Sequence, residues 1–333
     1  MPLSPVGRMQ GVLLKHWFEG KTLSDVFHST LARARETAVY LGGRISSVED
    51  LQELGVGEWE GMTFDEIRAE YPDLYQKRIK YPTIYRIPGG EAASACRNRV
   101  VRALENLLES TEGDIAVAAH AGVNRILLCD LTGQSLKNYL TVPQPYGCVN
   151  VIREDRSRLA VQEIAIRPRP TLNEVLCQEL LAAAGTPEPV IRHCKAVTKK
   201  AMALADALMR TGATLDRERL RAAALLHDVA RTERNHAAAG AQWLIALGYP
   251  EMAELIAAHH DLSPERETEI SEATVLYLAD KLVQEDREVT MERRFADSFG
   301  RISGVEGREA HARRYQQARR VAQNVERQLR VDI

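Results

Sequence analysis

Apolar positions follow two regimes along the chain. Up to about residue 165, short runs of β-forming residues alternate with segments whose apolar positions recur every three or four residues. Val26-Phe27, Ile115-Ala116-Val117-Ala118-Ala119 and Val149-Asn150-Val151-Ile152 predict strands, while 31–42, 64–70, 93–109 and 122–132 predict helices. That alternation predicts an α/β layered domain. From Leu172 onward strand signals almost vanish. Helical periodicity covers 172–184, 189–210, 216–230, 236–247, 250–259, 271–286 and 306–330, which predicts an all-α second domain. Arg167-Pro168-Arg169-Pro170 separates the two, because prolines one residue apart interrupt both ladders and helices. The expected domains are 1–165 and 166–333. The last helix gathers Ala318, Val321, Ala322, Val325 and Leu329 on one face, with Arg313, Arg319, Arg320 and Arg327 largely elsewhere, as in a packed surface helix.

Composition narrows the picture. At 333 residues the chain has room for two cores, and 44 basic against 46 acidic residues leave a formal net charge of -2. That balance gives no electrostatic case for a nucleic-acid or membrane partner and leaves a small polar substrate open. The five cysteines are odd in number and form no C-x-x-C pair, which argues against a disulfide framework and a zinc-thiolate site. No apolar run approaches the roughly 20 residues of a membrane span, and Met1-Pro2-Leu3-Ser4 begins no signal-peptide core. A cytoplasmic location is expected.

The candidate chemistry concentrates in the second half. Leu225-Leu226-His227-Asp228 closes an apolar helix with an imidazole and a carboxylate, and a buried unpaired carboxylate there would be costly. His193 lies upstream, and His236, His259, His260 and Asp280 lie downstream. Neutral imidazoles with carboxylates and no thiolate suit Fe, Mn, Co, Ni or Zn. A structural zinc site would stop at four ligands, so six or seven candidates predict one higher-coordinate ion or two. With two, Asp228 has an oxygen for each. Lys195, Arg231, Arg234 and Lys281 are the basic residues placed to neutralise phosphate oxygens.

The order His193, Leu225-Leu226-His227-Asp228, Asp280 resembles the HD-domain metal-dependent phosphohydrolase superfamily over about 160 residues. His236-Ala237-Ala238-Ala239-Gly240-Ala241, Ile256-Ala257-Ala258-His259-His260 and Tyr277-Leu278-Ala279-Asp280-Lys281 are similar to its di-metal members. The resemblance implies His193, His227, Asp228 and Asp280 as core ligands, and His236 and His259 completing a second metal site. His260 is a further candidate, although adjacent helical side chains diverge by about 100°. It also implies hydrolysis of a phosphomonoester or phosphodiester, often of a nucleotide; Asp228 is the central catalytic candidate, and from their charge and position Lys281 and Arg231 are expected to orient phosphate. Similar modules include dinucleoside-polyphosphate hydrolases and modules fused to nucleotidyltransferases, so an upstream nucleotidyltransferase partner is a further expectation.

The first half carries a second resemblance. Pro2-Leu3-Ser4-Pro5-Val6-Gly7, Ser29-Thr30-Leu31-Ala32-Arg33-Ala34-Arg35-Glu36-Thr37-Ala38, Leu51–Gly61, Pro88-Gly89-Gly90-Glu91 and Ala119-His120-Ala121-Gly122 are similar, in order, to the histidine phosphatase or phosphoglycerate-mutase-like superfamily. That resemblance implies Arg33 as a phosphate ligand, Glu53 as proton donor and His120 as the second pocket histidine. The family's Arg-His-Gly strand, whose histidine becomes phosphorylated, has no counterpart in this chain. Its loss is expected to interrupt the sheet and leave unpaired backbone groups. The domain is read as the incomplete part of a longer phosphatase, with an inactive phosphate-binding form as the alternative. The leading expectation is a metal-dependent phosphohydrolase working through the second half. The alternatives are a metal-independent histidine phosphatase and a non-catalytic nucleotide- or phosphate-binding regulator.

Overall fold

A computed structural model describes residues 1–155, 158–300 and 304–330. Contacts divide the chain into two units, Met1–Pro168 and Arg169–Ile333.

In the first unit, α1 (Pro5–Phe18) opens with Pro5 in its first turn and Ser4 as N-cap, the Ser4 Oγ accepting the Gly7 N–H at 3.1 Å. Strand β1 (Asp25–Ser29) is buried along its whole length. It leads into α2 (Ala32–Leu41), then β2 (Arg44–Val48). Two short helices, α3 (Phe64–Glu70) and α4 (Pro72–Lys80), precede the amphipathic α5 (Ala93–Ser110), strand β3 (Ile115–Ala118) and α6 (Ala121–Leu131). Strands β4 (Val149–Asp155) and β5 (Arg158–Ile166) form an antiparallel hairpin.

The central sheet is parallel, in the order β2-β1-β3. Its alternation sorts residues by face. Val26, Ala116 and Ala118 pack with Ala38 of α2, while Phe27 packs with Leu51, Ala103 and Leu107. Among the described residues β3 pairs only with β1, and β4 only with β5, so the sheet is in two pieces. Parallel strands bring their carboxyl ends to one edge, where Ser29 leads toward Arg33 and Ala118 leads to His120.

The second unit is helical: α7 (Glu174–Ala184), α8 (Glu188–Arg210), α9 (Arg217–Leu226), α10 (His236–Ala246), α11 (Pro250–Ala258), α12 (Glu272–Lys281), α13 (Met291–Phe299) and α14 (Val305–Leu329). Helix α12 is the hub, packing on α8, α9, α11 and α14, and Ala273 through Lys281 are all buried. Its start is fixed by a capping box between Ser271 and Thr274.

Several expected boundaries shift for physical reasons. The helix expected over 216–230 ends at Leu226, because the chain turns at His227–Ala230 and Arg231 N–H bonds the Asp228 carbonyl at 3.0 Å. The helix expected over 271–286 ends at Lys281, and β6 (Val283–Gln284) and β7 (Arg287–Glu288) fold back as a hairpin with Glu285 at φ 55. Helices α1, α4 and α13 and strands β2 and β5 were not among the expected elements. Strand β2 has no buried residue and so shows no apolar alternation.

Candidate metal centre and phosphate pocket

Five helices, α8 to α12, bring the candidate ligands together in the second unit. His227 and His259 occupy equivalent positions, each the residue just past a helix. Each ring turns its Nδ1 back on the carbonyl three residues earlier, His227 to Ala224 at 2.8 Å and His259 to Ile256 at 2.5 Å. A carbonyl can only accept, so both Nδ1 atoms carry the proton and both Nε2 atoms present a lone pair. His193, from the second turn of α8, is held the same way by the Glu285 carbonyl at 2.7 Å, which the β6–β7 turn delivers. Its Nε2 lies 3.1 Å from Asp280 Oδ1.

The carboxylates sit between these rings. Asp228 Oδ1 is 3.2 Å from His236 Nε2, 3.6 Å from His259 Nε2 and 3.7 Å from Arg231 Nη1, while Oδ2 is 3.8 Å from His227 Nε2. Asp280 Oδ1 is 3.8 Å from His227 Nε2. The ligand atoms of His227, Asp228 and His259 lie within 4.8 Å of one another, as do those of His193, His227 and Asp280, and those of His236, His259 and His260. His227 and His259 belong to two groups each, so the three sets form one continuous array. His260 joins it through a 2.6 Å approach to His236 Nε2.

The environment sets the charge states of the array. Burial pushes His227 down to about 4, and burial with the neighbouring His259 and Lys281 pushes His260 down to about 2, so both rings are neutral at pH 7. Burial alone would raise the Asp228 carboxyl, but His227, His236, His259 and Arg231 hold it well below the usual carboxylate range. Asp280, also buried, is held low chiefly by Lys281 and His193. Against burial, the hydrogen bond to Asp280 raises His193.

The donor set passes a direct test of fit. His227 Nε2, Asp228 Oδ1 and His259 Nε2 are buried and make no hydrogen bond. Three such orphans side by side would be costly, and a divalent transition metal satisfies all of them.

The basic residues divide. Arg231 is exposed at the rim, with Nη1 donating to His236 Nε2 at 2.9 Å, and Lys195 and Arg234 are exposed. Lys281 instead is buried, donating to Asp280 Oδ2 at 2.8 Å and to the His259 carbonyl at 3.1 Å. Lys281, expected to orient phosphate, thus has two of its three donors engaged by protein acceptors.

In the first unit, the loop after β3 brings His120 to the start of α6 with only 6% of its surface exposed. Its Nε2 is buried without a hydrogen-bond partner. Burial, with the nearby charges of Arg33 and Arg99, pushes the ring down to about 4. Arg33 stands in the first turn of α2. Glu53 is engaged by three backbone amides, those of Leu54, Gly122 and Val123, at 2.8–3.2 Å. Arg99 was not singled out by sequence reasoning. It pairs bidentately with Glu91 at 2.9 and 2.8 Å and donates to the Asp50 carbonyl at 2.6 Å, bracing the Glu53 loop.

One unit thus holds a histidine-carboxylate array, and the other sets Arg33 and Arg99 near a buried His120. Both belong to phosphate-ester hydrolase types of domain. Residues 1–167 match the histidine phosphatase superfamily (branch 1) and residues 190–284 match the HD domain, so the chain belongs to the histidine phosphatase superfamily and carries an HD domain after it. HD domains are typically metal-dependent.

The chain is 26% identical over 153 residues to phosphoserine phosphatase 1 of Hydrogenobacter thermophilus, covering 44% of this chain and 71% of that protein. It is 33% identical over 138 residues to 6-phosphofructo-2-kinase 1 of Saccharomyces cerevisiae, covering 39% of this chain but 17% of that protein. Among solved structures, Bacillus stearothermophilus YhfR is 27% identical, with a TM-score of 0.46, covering 49% of this chain and 83% of that one. Among the described residues, no helix is long and apolar enough to cross a membrane.

Proposed function

We propose that the protein is a metal-dependent phosphohydrolase acting through its HD domain on a phosphomonoester or phosphodiester, with a nucleotide as substrate class. The observation that carries this reading is the adjacent set of buried, unpartnered ligand atoms on His227, Asp228 and His259. His193, His227, Asp228 and Asp280 would hold one ion, and His236, His259 and His260 the other side of the array, with Asp228 between them. Bound there, a divalent transition metal lowers the pKa of water and offsets charge on phosphoryl oxygens.

The chain's own residues do the rest. The carbonyls of Ala224, Ile256 and Glu285 fix the imidazole tautomers. Lys281 locks Asp280 against the end of α11. Arg231, exposed at the rim and held by His236 Nε2 and Asp228, would meet a phosphate by leaving His236. The nucleotide class rests on the resemblance of the histidine-aspartate segments to HD-domain hydrolases. The histidine phosphatase domain is proposed as a phosphate-binding partner domain, with Arg33 and His120 as ligands.

Phosphate release from a nucleotide panel, before and after chelation, tests the proposal. Turnover should fall to background on chelation and return on adding back Mn, Fe, Co, Ni or Zn. Chelator-resistant turnover that disappears on Arg33→Ala would instead place the chemistry in the first domain.

A further inference from the structure

Arginine accumulates on one face of α14. Arg313, Arg314, Gln317 and Arg320 recur at intervals of three and four residues, so their side chains share that face. Together with Gln316 and with Asp261, the residue after His260, they line a cavity of about 600 Å³. Ala310, one turn earlier in the same wall, leaves room beside the first arginines. The volume is that of a small-molecule site. Three of the lining side chains are cationic and one is anionic.

The three guanidiniums are held differently. Arg320 is fixed: its Nε and Nη2 bond Glu267 at 2.7 and 3.1 Å, and Gln317 braces the same carboxylate at 2.9 Å. Arg314 spends only Nε, on Asp261 Oδ1 at 3.3 Å, and Arg313 comes no closer than 3.9 Å to Glu309. Asp261 and Glu309 are exposed, and such surface pairs contribute little. A guanidinium has five N–H donors, so most of the donors at this cavity meet no acceptor among the described residues. One fixed arginine and two loosely held ones match the paired oxygens of phosphate groups. Tyr277 of α12 supplies a second observation. It is fully buried, its hydroxyl has no hydrogen-bond partner, and burial with the charges of Asp261, Glu267 and Asp280 pushes its phenol up against the pull of Arg314. The Lys281 ammonium lies 4.8 Å from the centre of its ring. One unsatisfied side chain thus adjoins both the charges of the cavity and the Asp280–Lys281 pair.

We propose that this cavity is an oligophosphate-binding site outside the metal centre, with Arg313, Arg314 and Arg320 as its cationic ligands. A phosphate chain brings several negative charges and pairs of oxygens, so it displaces the single carboxylates of Asp261 and Glu309 from the guanidiniums. Binding there needs no metal. Asp261 follows directly on His259 and His260, so the cavity begins where the array ends. Resting on the hydrolase reading of that array, the substrate class narrows to a nucleotide whose phosphate chain reaches from the array to α14.

Titration of the full chain, ¹⁵N-labelled in arginine, with inorganic tripolyphosphate tests the site, read at the Arg320 Nε–H. The parent signal should shift and saturate. Arg313→Ala/Arg314→Ala removes exposed side chains only, so the chain should fold, and half-saturation should need at least about tenfold more tripolyphosphate, as expected for losing charge-assisted contacts. Arg319→Ala takes a charge from the same helix outside the cavity wall and should stay within about twofold of the parent. Capture of metal by the probe would move the signal alike in all three chains. No response of the parent through the millimolar range, the same half-saturation in parent and double variant, or equal weakening by Arg319→Ala would overturn the site. A second arm compares hydrolysis of a nucleoside triphosphate and its monophosphate. The double variant should raise the ratio of triphosphate to monophosphate KM at least about tenfold. An unchanged ratio beside weakened tripolyphosphate binding would assign the site to a separate oligophosphate and overturn the substrate claim. Absence of turnover in every chain would overturn the hydrolase reading instead, with the binding result standing on its own.

Discussion

Lys281 shows how far one side chain's role can depend on its neighbours. Next to the expected ligand Asp280, it reads as a phosphate contact, yet its ammonium is spent inside the protein on Asp280 Oδ2 and the His259 carbonyl. It joins the end of α12 to the end of α11, where a cation also suits the helix dipole. Lys281→Met keeps the stem and strands Asp280. In the metal-free protein we expect a loss of about 3–5 kcal/mol, the usual cost of removing one partner from a buried pair, together with weaker metal binding. A denaturation midpoint unchanged from the parent would show that the ammonium is not so engaged.

His120 makes a prediction about pH. Its folded pKa, about 4, lies below the ordinary 6.5, so the folded state resists protonation that the unfolded chain accepts. Stability is therefore retained above pH 6.5 and is lost as pH falls from there to about 4. Integrated over that window the loss is about 3 kcal/mol. Urea midpoints of the parent and of His120→Gln, compared across that range, isolate the effect. The variant should show a shallower fall, and parallel curves would contradict the assignment.

At the scale of elements, α14 clamps the segment that follows the candidate ligands His259 and His260. Gln317 Nε2 donates to the Leu262 carbonyl at 2.8 Å and to Glu267 Oε1 at 2.9 Å, and its Oε1 accepts the Leu262 N–H at 3.3 Å. The clamped segment follows directly on His259 and His260. Gln317→Leu should cost about 1–3 kcal/mol, because it leaves buried backbone groups without partners, and should speed amide exchange across 259–268. Unaltered exchange there would mean that the segment holds itself.

What the sequence made legible follows from where its signals live. The helices α5, α7, α8 and α14 announce themselves by three- and four-residue spacing of buried positions such as Cys96, Val100, Ala103 and Leu107. His193, His227, Asp228 and Asp280 were visible as residue types in order along the chain. The devices that aim them were not, because the carbonyls of Ala224, Ile256 and Glu285 belong to the backbone and leave no mark on side-chain identity. The β6–β7 hairpin was hidden for a related reason. Its apolar residues prolong the α12 pattern, although the helix ends at Lys281 and Glu285, in the left-handed region, makes the hairpin turn.

Across the whole molecule, a net charge of -2 conceals two local fields of opposite design. One unit gathers lone pairs and ionised carboxylates that call for a cation. The other sets Arg33 and Arg99 near His120, with Arg99 and the first-turn amides of α6 taking up carboxylates. The matches to a histidine phosphatase domain and an HD domain give these fields a shared chemistry, the phosphate ester, approached from two directions.

The central claim is that the histidine-carboxylate array holds metal and that turnover depends on it. Elemental analysis of the purified chain beside its His227→Ala/Asp228→Ala variant, with nucleotide phosphate release assayed on the same samples, addresses it most directly. The account predicts transition metal in the parent and the loss of both metal and phosphate release in the folded variant. A folded parent that takes up no metal even after reconstitution, or a metal-free variant that still turns over, would contradict it.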